Sequence, residues 1–165
     1  MKRLLLLRHG EAEPAGAAAS DFERALTAHG RAQALQAARR LRRTRCVPDA
    51  ILASPALRTR ETATIVAARL ECLQALRYEP LAYPGSPELL LQLLSTLPDE
   101  SEAALLVGHN PGLSALARRL AALASAGRSG AEPPELSTGG LCRIELASGT
   151  WSAIESGVTD VTLLS

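Results

Sequence analysis

The chain has 165 residues, 47% hydrophobic but only 2% aromatic, and a formal net charge of +1. That length can enclose a real core within one domain, residues 1–165, and so few aromatics offer no platform for stacking bases. A balanced charge supplies no field to recruit nucleic acid or an anionic membrane, so neither is expected as a partner.

Leu4 to Leu7 is a short apolar run of the kind found in a strand buried on both faces. It stops at Arg8 and His9, too soon for a signal peptide or a membrane span, and the chain reads as cytoplasmic and soluble. A small-residue loop follows from about Glu11 to Arg24. Thr27 then offers an N-cap for a helix over Ala28 to Arg43, with Leu35, Ala38 and Leu41 on its inner stripe. Ala50 to Ala53 reads as a second buried strand. A second helix spans Pro55 to Leu70, with Pro55 at its first position. A loop from Tyr78 to Pro87 leads to a third helix, Glu88 to Leu97.

Ala104 to Val107 is a further strand, and Pro111 and Gly112 open a helix running to about Ala124. Ala126 to Ser137, rich in Gly, Pro and Ser, reads as a surface loop. Leu141 to Leu146 and Thr150 to Glu155 are expected to pair as a hairpin turning at Ser148 and Gly149. No repeat and no second domain is evident. Strands alternating with helices predict an α/β sandwich, mainly parallel in its first part. Cys46, Cys72 and Cys142 are odd in number and widely spaced, which fits small buried hydrophobes and neither a disulfide framework nor a zinc site.

Ligands of a parallel α/β sheet gather at the carboxyl ends of its strands. Topology therefore brings Arg8 and His9, Arg58, and His109 to one edge. Arg58 stands in the first turn of its helix, where the macrodipole disfavours a cation unless an anion is bound there. Arg60 has a simpler reading, facing water or pairing with Glu61. His109 precedes a helix start and can donate to an oxyanion beside free backbone N–H groups. A lone histidine at a strand end is more often structural, and this one gains weight because His9 holds the corresponding position on another strand. Gly10 and Gly108 allow close backbone approach beside each histidine. His29 reads as a surface or helix-start residue. The arginines from Arg39 to Arg45, without interleaved aromatics, read as a solvated helix end.

The segments RHGEAEP at Arg8 to Pro14, SPALRTRET at Ser54 to Thr62 and VGHNPG at Val107 to Gly112 occur in an order that resembles the histidine phosphatase superfamily. DFERALTAHG at Asp21 to Gly30 and STGG at Ser137 to Gly140 look most like its SixA-type phosphohistidine phosphatases. The resemblance implies a three-layer α/β/α sandwich around a mainly parallel mixed sheet, phosphoglycerate mutase-like. It also implies that His9 is a nucleophile that becomes phosphorylated. Arg8 and Arg58 would clamp the phosphoryl oxygens with paired donors, a geometry lysine cannot reproduce. His109, as imidazolium, would add charge and a donor.

Cations from Arg8 and Arg58 should depress the pKa of His9, and a backbone carbonyl should hold its other ring nitrogen. Glu79 loosely matches the family's acidic residue, with Glu11 as a competitor, and Arg24 reaches the rim or pairs with Asp21. No metal and no cofactor is expected. By resemblance the substrate is phosphohistidine on a partner such as a histidine phosphotransfer domain. A phosphatase for small phosphate esters and a noncatalytic phosphate-binding or phosphoprotein-docking module remain as alternatives.

Overall fold

The computed structural model describes residues 1–124, 135–147 and 149–165. Its six strands are β1 (Lys2–Arg8), β2 (Ala50–Ala53), β3 (Leu76–Tyr78), β4 (Ala103–Gly108), β5 (Leu141–Leu146) and β6 (Val158–Leu164). They form one mixed sheet in the order β3-β2-β4-β1-β5-β6. The pairs among β3, β2, β4 and β1 are parallel, and β5 and β6 run antiparallel.

The helices are α1 (Ala28–Arg43), α2 (Leu57–Arg69), α3 (Pro87–Ser95), α4 (Gly112–Ala124) and the single turn α5 (Ile154–Gly157). Successive leucines of β1 point to opposite faces, as a strand's period of two requires. Leu4 and Leu6 pack with Leu90, Leu94, Leu113 and Leu116, the inner stripes of α3 and α4. Leu5 and Leu7 pack with Ala37, Leu41 and Val66 of α1 and α2. Two separate cores on one sheet make the three-layer sandwich, and a continuous apolar run in β1 is its direct consequence.

Thr27 caps α1 as expected, its hydroxyl accepting from Gly30 N at 3.0 Å. The buried stripe of α1 is Ala34, Ala37, Ala38 and Leu41, whereas Leu35 is only half-buried. The small alanines are what allow α1 to lie close against the sheet and α2. Helix α2 begins at Leu57 after Ala56, so Pro55 precedes its N-cap and does not occupy the first turn.

Two further differences concern the sheet. The three-residue edge strand β3 was not anticipated. The hairpin partner of β5 is Val158–Leu164, and Thr150 to Glu155 instead winds through a 3₁₀ turn into α5. Trp151 fixes that turn: it is buried, and its indole N–H donates to Ser101 O at 2.8 Å. Most of the loop expected from Ala126 to Ser137 and the turn residue Ser148 lie outside the described residues.

The topology sets the place of a site. β1 and β4 are parallel neighbours in register from Arg3↔Ala103 to Arg8↔Gly108. From β1 the chain passes through α1 to β2 beyond β4, and from β4 it passes through α4 to β5 beyond β1. These connections leave in opposite directions, which opens a crevice at the two carboxyl ends.

Candidate active site

Arg8 ends β1 and His9 follows it; His109 follows β4; Arg58 is the second residue of α2. All four line one cavity of about 480 Å³, together with Glu11, Asp21, Arg24, Tyr83, Asn110 and Thr138 among others. His9, Arg58 and His109 retain only 8%, 5% and 5% of their exposure. The two imidazole rings stand 5.1 Å apart, centroid to centroid.

Hydrogen bonds assign the ring nitrogens. His9 Nδ1 lies 2.7 Å from Gly10 O. A carbonyl only accepts, so Nδ1 carries the proton and Nε2 keeps a free lone pair. This is the backbone carbonyl that the sequence could not specify. Arg58 Nε donates to His9 Nε2 at 3.3 Å, and Arg58 Nη2 donates to His109 Nδ1 at 3.3 Å. One guanidinium therefore faces the lone pairs of both imidazoles.

His9 is lowered to about 4, chiefly by burial; the Gly10 carbonyl opposes this, and Arg58, Arg8 and Arg24 add to it. The neighbouring cations thus act as expected, but desolvation is the larger cause. His109 is lowered to about 3 by burial, then by His9 and Arg58. In the unliganded site His109 is thus a neutral acceptor, and the imidazolium expected against a phosphoryl oxygen belongs to the liganded site.

Both folded values lie below the 6.5 of an ordinary histidine. Between pH 6.5 and 4 the unfolded chain therefore binds more protons than the folded one. Stability should be fully present above pH 6.5 and fall as the pH drops through this window. Thermal melts taken from pH 7.5 to pH 4.5 should show a declining Tm, with a flatter decline in His9→Asn. A Tm independent of pH over that range would contradict the neutral histidine pair.

Asp21 was anticipated only as a partner of Arg24, and the structure gives it more. Its carboxylate accepts from Arg24 Nε and Nη2 at 2.9 and 2.7 Å, from Arg58 Nη2 at 3.0 Å and from Tyr83 Oη at 3.0 Å. These donors, Arg24 foremost, hold it down to about 2 and keep it ionised. Arg24 both reaches the rim and pairs with Asp21, so the two readings of it hold together.

Arg8 donates through Nη1 to Leu136 O, while its buried Nε has no partner among the described residues. Burial depresses this guanidinium's pKa. Glu79 sits half-buried just after β3, its N–H donating to Ala53 O, and is not among the residues lining the cavity. Glu11 does line it, with its carboxylate 2.9 Å from the Thr27 hydroxyl that donates to it. Arg60 and His29 are exposed, and Arg60 lies over the Tyr78 ring while Glu61 pairs with Arg31.

Three hydroxyls of the second motif went unrecognised individually. Ser54 Oγ is 2.7 Å and Thr59 Oγ1 3.2 Å from His109 Nε2. Thr62 Oγ1 accepts from Gly10 N and donates to Arg58 O, tying the loop after β1 to α2. Their signal was the motif itself, SPALRTRET, in which each of them stands a short step from Arg58.

The family model of the histidine phosphatase superfamily (branch 1) matches residues 4–81. Among solved structures, the chain is similar to a SixA from Agrobacterium tumefaciens, at 31% identity and a TM-score of 0.71, covering 87% of this chain and 91% of that one. A SixA from Nakamurella multipartitia superposes with a TM-score of 0.84 at 25% identity, covering 99% and 95% of the two chains. The protein histidine phosphatase SixA complexed with tungstate gives a TM-score of 0.75 at 26% identity, over 98% and 93%. With the motif residues gathered around one cavity and this likeness along nearly its whole length, the chain belongs to the histidine phosphatase superfamily and is SixA-like.

Proposed function

We propose that the chain is a phosphohistidine phosphatase that works through a phospho-His9 intermediate. The observation that carries this reading is the lone pair of His9 Nε2, aimed into a cavity where Arg8, Arg58 and His109 also converge. The orphaned, buried Nε of Arg8 fits the same reading, because it is a donor matched to an oxygen of a bound phosphoryl group.

In the first half-reaction Nε2 of His9 attacks phosphorus. The bond from phosphorus to the substrate's ring nitrogen breaks, and its electron pair stays on that nitrogen. A phosphohistidine already protonated on its other nitrogen then leaves as neutral imidazole. Phospho-His9 keeps its Nδ1 proton, and the Gly10 carbonyl supports the positive ring. In the second half-reaction water attacks phosphorus and one of its protons passes to a phosphoryl oxygen. The bond from phosphorus to Nε2 breaks with its electron pair returning to Nε2, which releases dihydrogen phosphate. Arg8 and Arg58 neutralise the charge spread over the equatorial oxygens in both steps.

The carboxylates of the cavity favour a nitrogen leaving group. An alkoxide needs a proton donor, yet Glu79 does not line the cavity, Asp21 is held ionised, and Glu11, which does line it, has one carboxylate oxygen accepting from the Thr27 hydroxyl. The exposed rim around Asp21 also leaves room for a side chain displayed on a partner protein. The test is a rapid, acid-free quench with a ³²P-labelled histidine phosphotransfer domain, run beside an aryl phosphate. Alkali-stable, acid-labile label on the enzyme and a marked preference for the phosphohistidine donor are expected. Turnover without such label would refute the covalent step, and a preference for the aryl ester would move the substrate to small phosphate esters.

A further inference from the structure

We infer that Ser54, assisted by Thr59, is a positioning residue that fixes the tautomer of His109 and so makes Nδ1 its working nitrogen. This rests on the phosphatase reading of the site and extends it to a residue that touches no phosphoryl oxygen. Arg58 Nη2 lies 3.3 Å from His109 Nδ1, and a guanidinium only donates, so Nδ1 bears the lone pair. The proton must then sit on Nε2, where Ser54 Oγ receives it at 2.7 Å and Thr59 Oγ1 lies at 3.2 Å.

Ser54 is itself held. It has no exposure, and its Oγ also accepts from Ala56 N at 3.2 Å, just ahead of α2. Thr59 is equally enclosed, in the first turn of α2 beside Arg58. The hydroxyl pair and the arginine are thus presented by one short stretch of chain and read the two nitrogens of the same ring in opposite senses.

The consequence is directional. His9 keeps its proton on Nδ1 and offers Nε2; His109 keeps its proton on Nε2 and offers Nδ1. When a phosphoryl oxygen displaces the contact from Arg58, a second proton on His109 can enter only at Nδ1, on the cavity side. The ring then becomes a donor there while Ser54 still holds Nε2–H. Without the hydroxyl, Nε2–H loses its nearer acceptor, only the longer contact to Thr59 remains, and the preference for this tautomer over the one protonated on Nδ1 is weakened. An incorrect tautomer is among the costlier faults of a histidine site.

Nitrogen-15 spectra of the unliganded protein at pH 7.5 read this directly, whatever the reaction proves to be. Wild type should show His109 with Nε2 protonated and Nδ1 bare, and Ser54→Ala a mixture of tautomers. With phosphohistidine donor, kcat of Ser54→Ala should fall about tenfold, while KM stays within about twofold because both arginines remain. Thr59→Val should move both readouts in the same direction by less. A protonated Nδ1 in wild type overturns the assignment even if the variants fail to fold. So does a Ser54→Ala protein, folded by its thermal melt, with an unchanged tautomer and unchanged kcat.

Discussion

With His9 replaced by alanine, no phosphoryl label should remain on the protein and turnover should fall by 10⁴-fold or more, on the order seen when a nucleophile is deleted. The geometry leaves no understudy. His109 is the other imidazole of the cavity, but its Nε2 is engaged by Ser54, and its Nδ1 is the nitrogen that becomes a donor to the phosphoryl group. Its ring centroid lies 5.1 Å from that of His9, so an attack by His109 would need the substrate to bind elsewhere. The fold should survive the change. His9 is a buried ring held neutral at a cost that grows as the pH falls, and removing it lifts that cost. A normal thermal melt beside absent turnover is therefore the expected pair of results. Label persisting on His9→Ala, or turnover within tenfold of wild type, would place the nucleophile elsewhere.

The strands that position this chemistry were legible because they are buried on both faces, so their sequences are unbroken apolar runs. Leu4 to Leu7, Ala50 to Ala53 and Ala104 to Val107 hardly admit another reading once helices separate them. The edge strands carry no such mark. β3 is the three residues Leu-Arg-Tyr, and β6 mixes Thr and Asp along a face open to solvent. The turn at Ser148 and Gly149 suggests a strand over Thr150 to Glu155, but the contact that decides it is the bond from Trp151 to Ser101, about 50 residues away, which no local pattern encodes.

The site divides in the same manner. Arg8, His9, Arg58 and His109 were readable because strand ends and the motifs mark them. Glu79 was placed by loose spacing in a loop, and loop spacing does not fix direction; the chain leaves β3 without bringing it to the cavity. Asp21 was visible as a neighbour of Arg24, yet its hold on Arg58 depends on a loop folding back across the crevice. The neutral state of His109 in the unliganded site follows from burial and then from His9 and Arg58 beside it, which no local pattern displays.

Gly10 and Gly108 looked alike in sequence, each beside a histidine, and the structure separates them. A Cβ built on Gly108 would meet Leu113 side-chain carbons no closer than 3.6 Å, an ordinary contact. One built on Gly10 would lie 2.3 Å from Gly30 O, and one built on Gly30 would lie 2.0 Å from Glu11 O. Those atoms are backbone and cannot turn aside. The two glycines let the first turn of α1 press directly on the segment after His9, whose Gly10 carbonyl sets the nucleophile's tautomer. In Gly30→Ala the gain in helix propensity is about 1 kcal/mol. Overpacking against backbone costs about 1–3 kcal/mol or more, and the loss should win. Gly30→Ala should melt several degrees below wild type and lose most of its turnover, because the Gly10 carbonyl is pushed from His9 Nδ1. Gly108→Ala should keep both within a modest margin. If calorimetry and the phosphohistidine assay rank the two variants the other way, then close packing of α1 on the loop is not what holds His9 in place.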